Sequence, residues 1–297
     1  MASISSRTVG VVGLGTMGGA IARNLVERGW TVFGCDVDAR RIEEARASGV
    51  QVMAGPGAVS QKAETILTSL PSRAALDAVV AEIAADAPKG RLVAELSTFT
   101  LEDKEAAQAA LAAAGHRTLD CPLSGTGAQA QTRDLVVYAS GDKADVDALG
   151  PVFADFSRET HNVGVFGNGT RMKFVANLLV AINNVASAEA MVLGMKAGLD
   201  PHQIIKLVSA GAANSRIFEL RAPLMADRAY EPATMSISLW QKDMKVIDAF
   251  ARSIGCPTPV FNSTEAIYRA ALARGQDTQD TASVCTVLEE MAGVKRG

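Results

Sequence analysis

One motif near the N-terminus limits what this chain can fold into. Gly13-Leu14-Gly15-Thr16-Met17-Gly18 is a G-x-G-x-x-G that directly follows an apolar run at 8–13 (TVGVVG), which reads as a buried strand. Residues 19–28 read as the helix it opens, and a second strand at 31–36 ends in Asp36. A glycine-rich turn is a weak signal alone. Between these elements it completes a dinucleotide-binding arrangement. Gly13 permits the tight turn, Gly15 lets the backbone approach a pyrophosphate, and Gly18 lets the helix pack close to the sheet. Leu14, Thr16 and Met17 complete the loop, whose helix N-terminus offers N–H groups and a positive dipole end to the phosphates. The Asp36 carboxylate can accept hydrogen bonds from both ribose hydroxyls of NAD and would repel the 2′-phosphate of NADP. Arg40 and Arg41 follow closely and could receive that phosphate, or could form the solvated face of the next helix. On the Asp36 argument, NAD rather than NADP is the expected cofactor.

The rest of the first half repeats the pattern. Further strands are expected at 65–70 (TILTSL), 92–96 (LVAEL), 117–121 (RTLDC) and 135–139 (LVVYA), with Ala/Glu-rich helical stretches between most of them. Strands alternating with helices imply parallel βαβ units and a doubly wound α/β sheet. The pattern changes near residue 165. Residues 163–169 read as a loop, and 170–197 as one long helix that contains no proline and a single glycine, Gly194. Beyond Gly198 every segment reads as helix, with breaks expected at Asp200-Pro201, Ala222-Pro223, Glu231-Pro232 and Cys256-Pro257. The expected domains are therefore 1–165, α/β and cofactor-binding, and 166–297, all-helical.

Composition narrows the function classes. The net charge of −3 over 297 residues, without a Lys/Arg run, gives no reason to expect nucleic acid. The four cysteines are dispersed and form no C-x-x-C pair, so reduced thiols are expected rather than disulfides or zinc. His116, His161 and His202 have no ligand-type spacing to other metal-binding residues, so no metal is expected. The N-terminus lacks a charged region followed by a long apolar stretch, and no segment carries about 18 consecutive apolar residues. A cytoplasmic protein with no membrane span is the expectation.

Four segments, in order along the chain, carry a family resemblance. The first is the glycine loop with Asn24-Leu25 and Gly29. The second is Asp120-Cys121-Pro122-Leu123-Ser124-Gly125-Thr126-Gly127, which looks like a substrate-binding motif. The third is Gly167-Asn168-Gly169-Thr170-Arg171-Met172-Lys173-Phe174-Val175-Ala176-Asn177, which looks like a catalytic motif, and the fourth is Lys242-Asp243. Together they resemble the β-hydroxyacid dehydrogenases, a family that includes 3-hydroxyisobutyrate, tartronate semialdehyde and L-threonate enzymes. The resemblance implies a Rossmann-type domain joined by a long helix to an all-α domain, with the active site in the cleft between them. It implies Lys173 as catalytic acid/base, and a homodimer or homotetramer built partly through the helical domain. It also implies that Leu70, Pro71 and Thr98 touch the nicotinamide half of the cofactor, and that Lys242 lies near nicotinamide and substrate. Ala213-Asn214-Ser215-Arg216-Ile217-Phe218 is similar to a segment of the sugar-acid branch, which implies Asn214 or Phe218 in the substrate pocket. The family usually has Gly-Gly after the serine, whereas this chain has Gly125-Thr126.

The residues suit that chemistry. Lys173 and Asn177 are four apart and share a helix face. A lysine flanked by Met172, Phe174, Val175, Ala176, Leu178 and Leu179 needs a reason to be buried. Neutral Lys173 could take a hydroxyl proton as hydride leaves the carbon, and protonated Lys173 could return it during reduction. Asn177 can anchor the substrate or the lysine. Ser124, with the N–H groups of Gly125 and Thr126, follows a strand end and can hold a carboxylate. The expected substrate is a small β-hydroxyacid such as L-threonate, 3-hydroxyisobutyrate, L-serine or glycerate. An imine reductase and a catalytically silent NAD(P)-binding module on the same fold are the alternatives. Relatives of both kinds generally lack the lysine.

Overall fold

The computed structural model describes residues 7–296. The expectation about an N-terminal leader rests partly on residues 1–6, which lie outside the described residues. The chain forms two compact units, Met1–Lys173 and Phe174–Gly297.

Among the described residues, the first unit is built on nine strands: β1 (Thr8–Val12), β2 (Thr31–Cys35), β3 (Gln51–Val52), β4 (Thr65–Thr68), β5 (Leu92–Glu95), β6 (Arg117–Asp120), β7 (Leu123–Ser124), β8 (Val136–Ala139) and β9 (Glu159–Asn162). The first six form one parallel sheet in the order β3-β2-β1-β4-β5-β6. Successive side chains alternate between its faces. Val9, Val11, Leu67, Leu92 and Ala94 enter one apolar cluster, while Val12, Ile66 and Val93 enter another. Near-continuous Val, Ile and Leu runs therefore mark strands buried on both faces, the signature of a parallel sheet covered by helices. The strand order reverses at β1 and β4, so a crevice opens beyond their carboxyl ends. Gly13 and Ser69 lie there.

Residues 136–139 are a strand outside the main sheet. They pair antiparallel with β7 and parallel with β9 in a separate three-stranded sheet. β9 (ETHN) lies largely exposed and carries no apolar alternation, so periodicity gives it no signal.

The long helix Asn168–Lys196 begins in the first unit and continues into the second. Thr170, Lys173, Asn177, Ala181, Asn184, Ala188 and Met191 are buried and recur every three or four residues along one face. Met172, Val175 and Leu179 are exposed, so the helix is not buried all round. Asn184 continues the face of Lys173 and Asn177, and its Nδ2 donates to Tyr268 Oη and the Thr281 carbonyl, both at 2.9 Å. By length and apolar composition this helix could cross a membrane, but 44% of the relevant window is buried inside the protein. The polar residues on its inward face mark a core helix.

The remainder of the second unit is helical: Pro201–Ser209, Arg216–Asp227, Ile237–Ser253, Pro259–Ala273 and Val284–Ala292, with a short 3-10 turn at Thr281–Ser283. The break expected at Ala222-Pro223 is absent. Pro223 sits inside Arg216–Asp227, where it can give no N–H to the Glu219 carbonyl. Burial of Phe218, Ala222 and Met225 holds the helix together across it.

Cys35, Cys121 and Cys285 are buried and Cys256 is exposed. Burial first, then Glu82 and Asp36, pushes the Cys35 thiol up to about 12. Burial and Glu289 do the same at Cys285, again to about 12. Titration with a disulfide reagent at mildly alkaline pH should therefore count one reactive thiol in the native protein and all four in denaturant.

Candidate active site

The glycine loop is shaped by three different demands. Gly13 has φ +87°, and a Cβ there would overlap the Ser69 carbonyl oxygen on the β4 side of the crevice. A Cβ on Gly18 would overlap the Gly13 carbonyl, so the third glycine closes the turn onto the first helix, Thr16–Glu27. Gly15 is different. It has φ −65°, which any residue adopts, and no described atom lies within 4 Å of where its Cβ would stand. The folded chain itself gives Gly15 no steric reason to be glycine. It caps the helix without a side chain, and the space a side chain would fill there is open.

Asp36 is tied directly to this loop. Its Oδ2 accepts from the Leu14 N–H at 2.6 Å and its Oδ1 from the Asp38 N–H at 2.9 Å. Arg40 and Arg41 both pair with Glu44 on the next helix, at 3.9 Å and 2.9 Å. On the other side of the crevice the Leu70 N–H donates to Ser97 Oγ at 2.8 Å, which joins the ends of β4 and β5. Leu70 and Thr98 are half-buried and Pro71 is exposed.

The candidate carboxylate site lies against the same loop. Ser124 ends β7, and Gly125 has φ +135°. Thr126 caps the short helix Gly127–Gln131 in a capping box with Gln129, and its N–H donates to Gln129 Oε1 at 3.0 Å. Ser124 Oγ and the Gly125 N–H are thus the donors at the apex of this turn, while Thr126 shapes it. A Cβ on Gly127 would overlap Thr16 of the glycine loop. The first unit therefore brings Gly13–Gly18, Asp36, Leu70 and Ser124–Thr126 around one crevice.

Lys173 is buried on the long helix, 8% exposed. A buried charged cluster is bonded to the first turn of the same helix. Lys104, fully buried, reaches Glu95 Oε2 at 2.6 Å and Asp120 Oδ1 at 2.7 Å. Burial would lower the pKa of this ammonium, but Asp120 and Glu95 outweigh burial and raise it, so Lys104 stays charged. Asp120 also accepts from the Thr170 N–H at 2.7 Å and from Thr170 Oγ1 at 2.8 Å. Asp120 opens the serine motif at a strand end, but its partners Lys104 and Thr170 are distant in sequence.

In the second unit, Asn177 Nδ2 donates to Asp243 Oδ2 at 3.0 Å, and Lys242 Nζ lies 3.7 Å from Asp243 Oδ1. Asp243 thus gathers Asn177 and Lys242. Phe218 is buried in the apolar core of this unit. Asn214 donates to Glu219 at 2.7 Å. Among the described residues, no three His, Cys, Asp or Glu side chains group as a metal site would require.

Comparison with known proteins covers nearly the whole chain. Residues 8–167 match a family model described as the NAD binding domain of 6-phosphogluconate dehydrogenase. Residues 167–288 match one described as NAD-binding of NADP-dependent 3-hydroxyisobutyrate dehydrogenase. The L-threonate dehydrogenase of Cupriavidus necator is 28% identical over 286 residues, 95% of this chain and 96% of the relative. The solved structure of Mycobacterium tuberculosis 3-hydroxyisobutyrate dehydrogenase with L-serine superposes with a TM-score of 0.86 at 25% identity, covering 95% of this chain and 99% of that one. A 3-hydroxyisobutyrate dehydrogenase from Salmonella typhimurium gives a TM-score of 0.85 at 26% identity, covering 94% and 99%.

Proposed function

Because this chain belongs to the β-hydroxyacid dehydrogenase family, whose models span residues 8–288, we propose that it oxidises a small β-hydroxyacid reversibly, with NAD as hydride acceptor and Lys173 as general acid/base. The observation that carries this reading is the buried Lys173 on a helix whose first turn is bonded to Asp120, at the head of the Ser124 segment. The open space at Gly15 fits a pyrophosphate. When bound, the nicotinamide supplies the site for hydride transfer. The protein's own part is positional and protonic. Ser124 Oγ and the Gly125 N–H hold the substrate carboxylate. Neutral Lys173 Nζ takes the hydroxyl proton as the C–H bond breaks, and in reduction the Lys173 ammonium gives that proton back to the developing alkoxide. Asn177 and Lys242, gathered by Asp243, are assigned to substrate binding on the family resemblance. Leu70, Pro71 and Thr98 frame the nicotinamide half of the crevice.

The substrate class follows the relatives. L-threonate, 3-hydroxyisobutyrate, L-serine and glycerate form the panel to assay, with reduced nicotinamide as the readout. The protein is proposed to work as a homodimer or homotetramer. Val175, Leu179 and Leu193 leave an exposed apolar face on the long helix, and sedimentation velocity should show a species larger than one chain.

NAD rather than NADP is read from Asp36. Arg40 and Arg41 are both engaged by Glu44, and Asp36 places negative charge beside the glycine loop. Asp36→Asn is expected to weaken NAD binding by about tenfold, the value of a lost charge-assisted hydrogen bond. It should narrow the ratio of kcat/KM for NAD over NADP by a similar factor. Equal use of both cofactors by the unaltered protein would contradict the assignment.

A further inference from the structure

We propose that Asp120 is a positioning residue for the reaction. Its carboxylate holds the first turn of the long helix to the head of the Ser124 segment and so sets where Lys173 stands relative to the carboxylate site. The proposal rests on the reading of Lys173 and Ser124 given above.

Four hydrogen bonds converge on this one side chain. Oδ1 accepts from Lys104 Nζ at 2.7 Å and from Thr170 Oγ1 at 2.8 Å. Oδ2 accepts from the Thr170 N–H at 2.7 Å and, at 3.2 Å, shares the single Ser140 Oγ proton with the Asp120 carbonyl oxygen, 3.0 Å away. A carboxylate has about four acceptor positions, so Asp120 is saturated. The donors come from the helix Leu101–Ala113, from the residue that follows β8, and from the start of the long helix. Asp120 itself ends β6, four residues before Ser124.

The bonds to the long helix are of a particular kind. The N–H groups of its first turn have no partner within the helix. Thr170 gives its N–H to Asp120, and Gly169 gives its N–H to Ser140 Oγ at 2.9 Å. A side chain from another strand thus caps this helix, and it brings negative charge to the positive end of the helix dipole. The fit is close. A Cβ on Gly169 would stand 2.7 Å from the Asp120 carbonyl oxygen and would overlap the Tyr138 carbonyl. Lys173 follows Thr170 by three residues, about 4.5 Å of helix rise. An α-helix is stiff over one turn, so a shift at Thr170 is carried to Lys173.

The charges serve geometry better than stability. A buried ion group is often no more stabilising than apolar side chains of the same shape. What it supplies is direction, since each bond to Asp120 has a fixed angle. Glu95 completes the arrangement. Its Oε2 neutralises Lys104, and its Oε1 accepts from the Ser97 N–H at 2.9 Å, next to Thr98. The same cluster therefore reaches the nicotinamide side of the crevice through Ser97, whose Oγ holds Leu70.

The test compares Asp120→Asn, Thr170→Val, Thr170→Ser and Lys173→Ala in the full chain. The assay uses the fastest acid of the panel, with rates expressed per cofactor-binding site. Asp120→Asn should lower kcat by about 10²-fold, the cost of a misplacement on the order of 1 Å. Thr170→Val keeps the N–H bond and loses the hydroxyl bond, and should lower kcat by about tenfold. Thr170→Ser restores the hydroxyl and should bring kcat back to within about twofold of the unaltered protein. The dissociation constant for NAD should stay within about twofold in the two Thr170 variants, whose hydroxyl bond ends on Asp120 and on neither residues 13–18 nor Ser97. If Asp120→Asn does not fold, the Thr170 pair still decides the matter. Wild-type kcat in Thr170→Val would overturn the proposal, as would a fall in kcat matched by an equal loss of NAD affinity. Inactive Lys173→Ala beside fully active Thr170→Val removes the positioning role alone, whereas active Lys173→Ala removes the reading of Lys173 on which it rests.

Discussion

Lys173→Ala is expected to lower turnover by about 10²–10⁴-fold, the range for loss of a positioned general acid/base, while NAD still binds. The residue sits three positions past the capped turn at Thr170, on the buried face of the long helix. Burying an ammonium without function is costly, and alanine at a helical site of this kind is otherwise well tolerated. The variant should therefore fold and bind cofactor, and it should fail only at proton transfer. Lys173→Arg keeps the charge but offers a group that does not deprotonate in the useful range, so it should be nearly as slow as alanine. A uniform rise in KM with kcat unchanged would instead mark Lys173 as a binding residue.

The second large effect separates two glycines of one loop. Gly15→Ala should leave stability within about 1 kcal/mol of the unaltered protein, since the added methyl meets no described atom and only the cap preference changes. Its affinity for NAD should fall by at least about tenfold, or about 1.4 kcal/mol, because the methyl would occupy the approach to the pyrophosphate. Gly18→Ala should behave in the opposite way. Its methyl would overlap the Gly13 carbonyl, so the helix start or the turn must move, at a cost of about 1–3 kcal/mol. Thermal unfolding and NAD titration of both variants check this directly. Equal destabilisation in the two would show that Gly15 serves the fold and not the ligand.

The Rossmann-type architecture was legible because its signals are local. The apolar run before Gly13, the glycine spacing and Asp36 all lie within one βαβ unit, and repeating that unit implies a parallel, doubly wound sheet. The small sheet was not legible in the same way. β7 and β9 are two and four residues long, and β9 is polar, so their pairing with β8 depends on tertiary placement. Pro223 shows the converse, a strong local breaker overridden by the packing of Phe218, Ala222 and Met225. The candidate site divides along the same line. Gly15, Asp36, Ser124 and Lys173 stand in motifs. Glu95 and Lys104 do not, because a buried ion pair is assembled from residues distant in sequence and looks in the sequence like two ordinary surface charges. Asp120 and Asp243 stand in motifs too, yet what each holds becomes visible only when the helices are in place.

The most direct test of the central claim is reduced-nicotinamide absorbance on mixing the full chain with NAD and each acid of the panel. Growth of the signal with at least one β-hydroxyacid is predicted, with none from the matching acid that lacks the hydroxyl and a rate at least about 10²-fold lower from Lys173→Ala. NAD binding without reduction by any acid, or near-normal turnover in Lys173→Ala, would contradict the account.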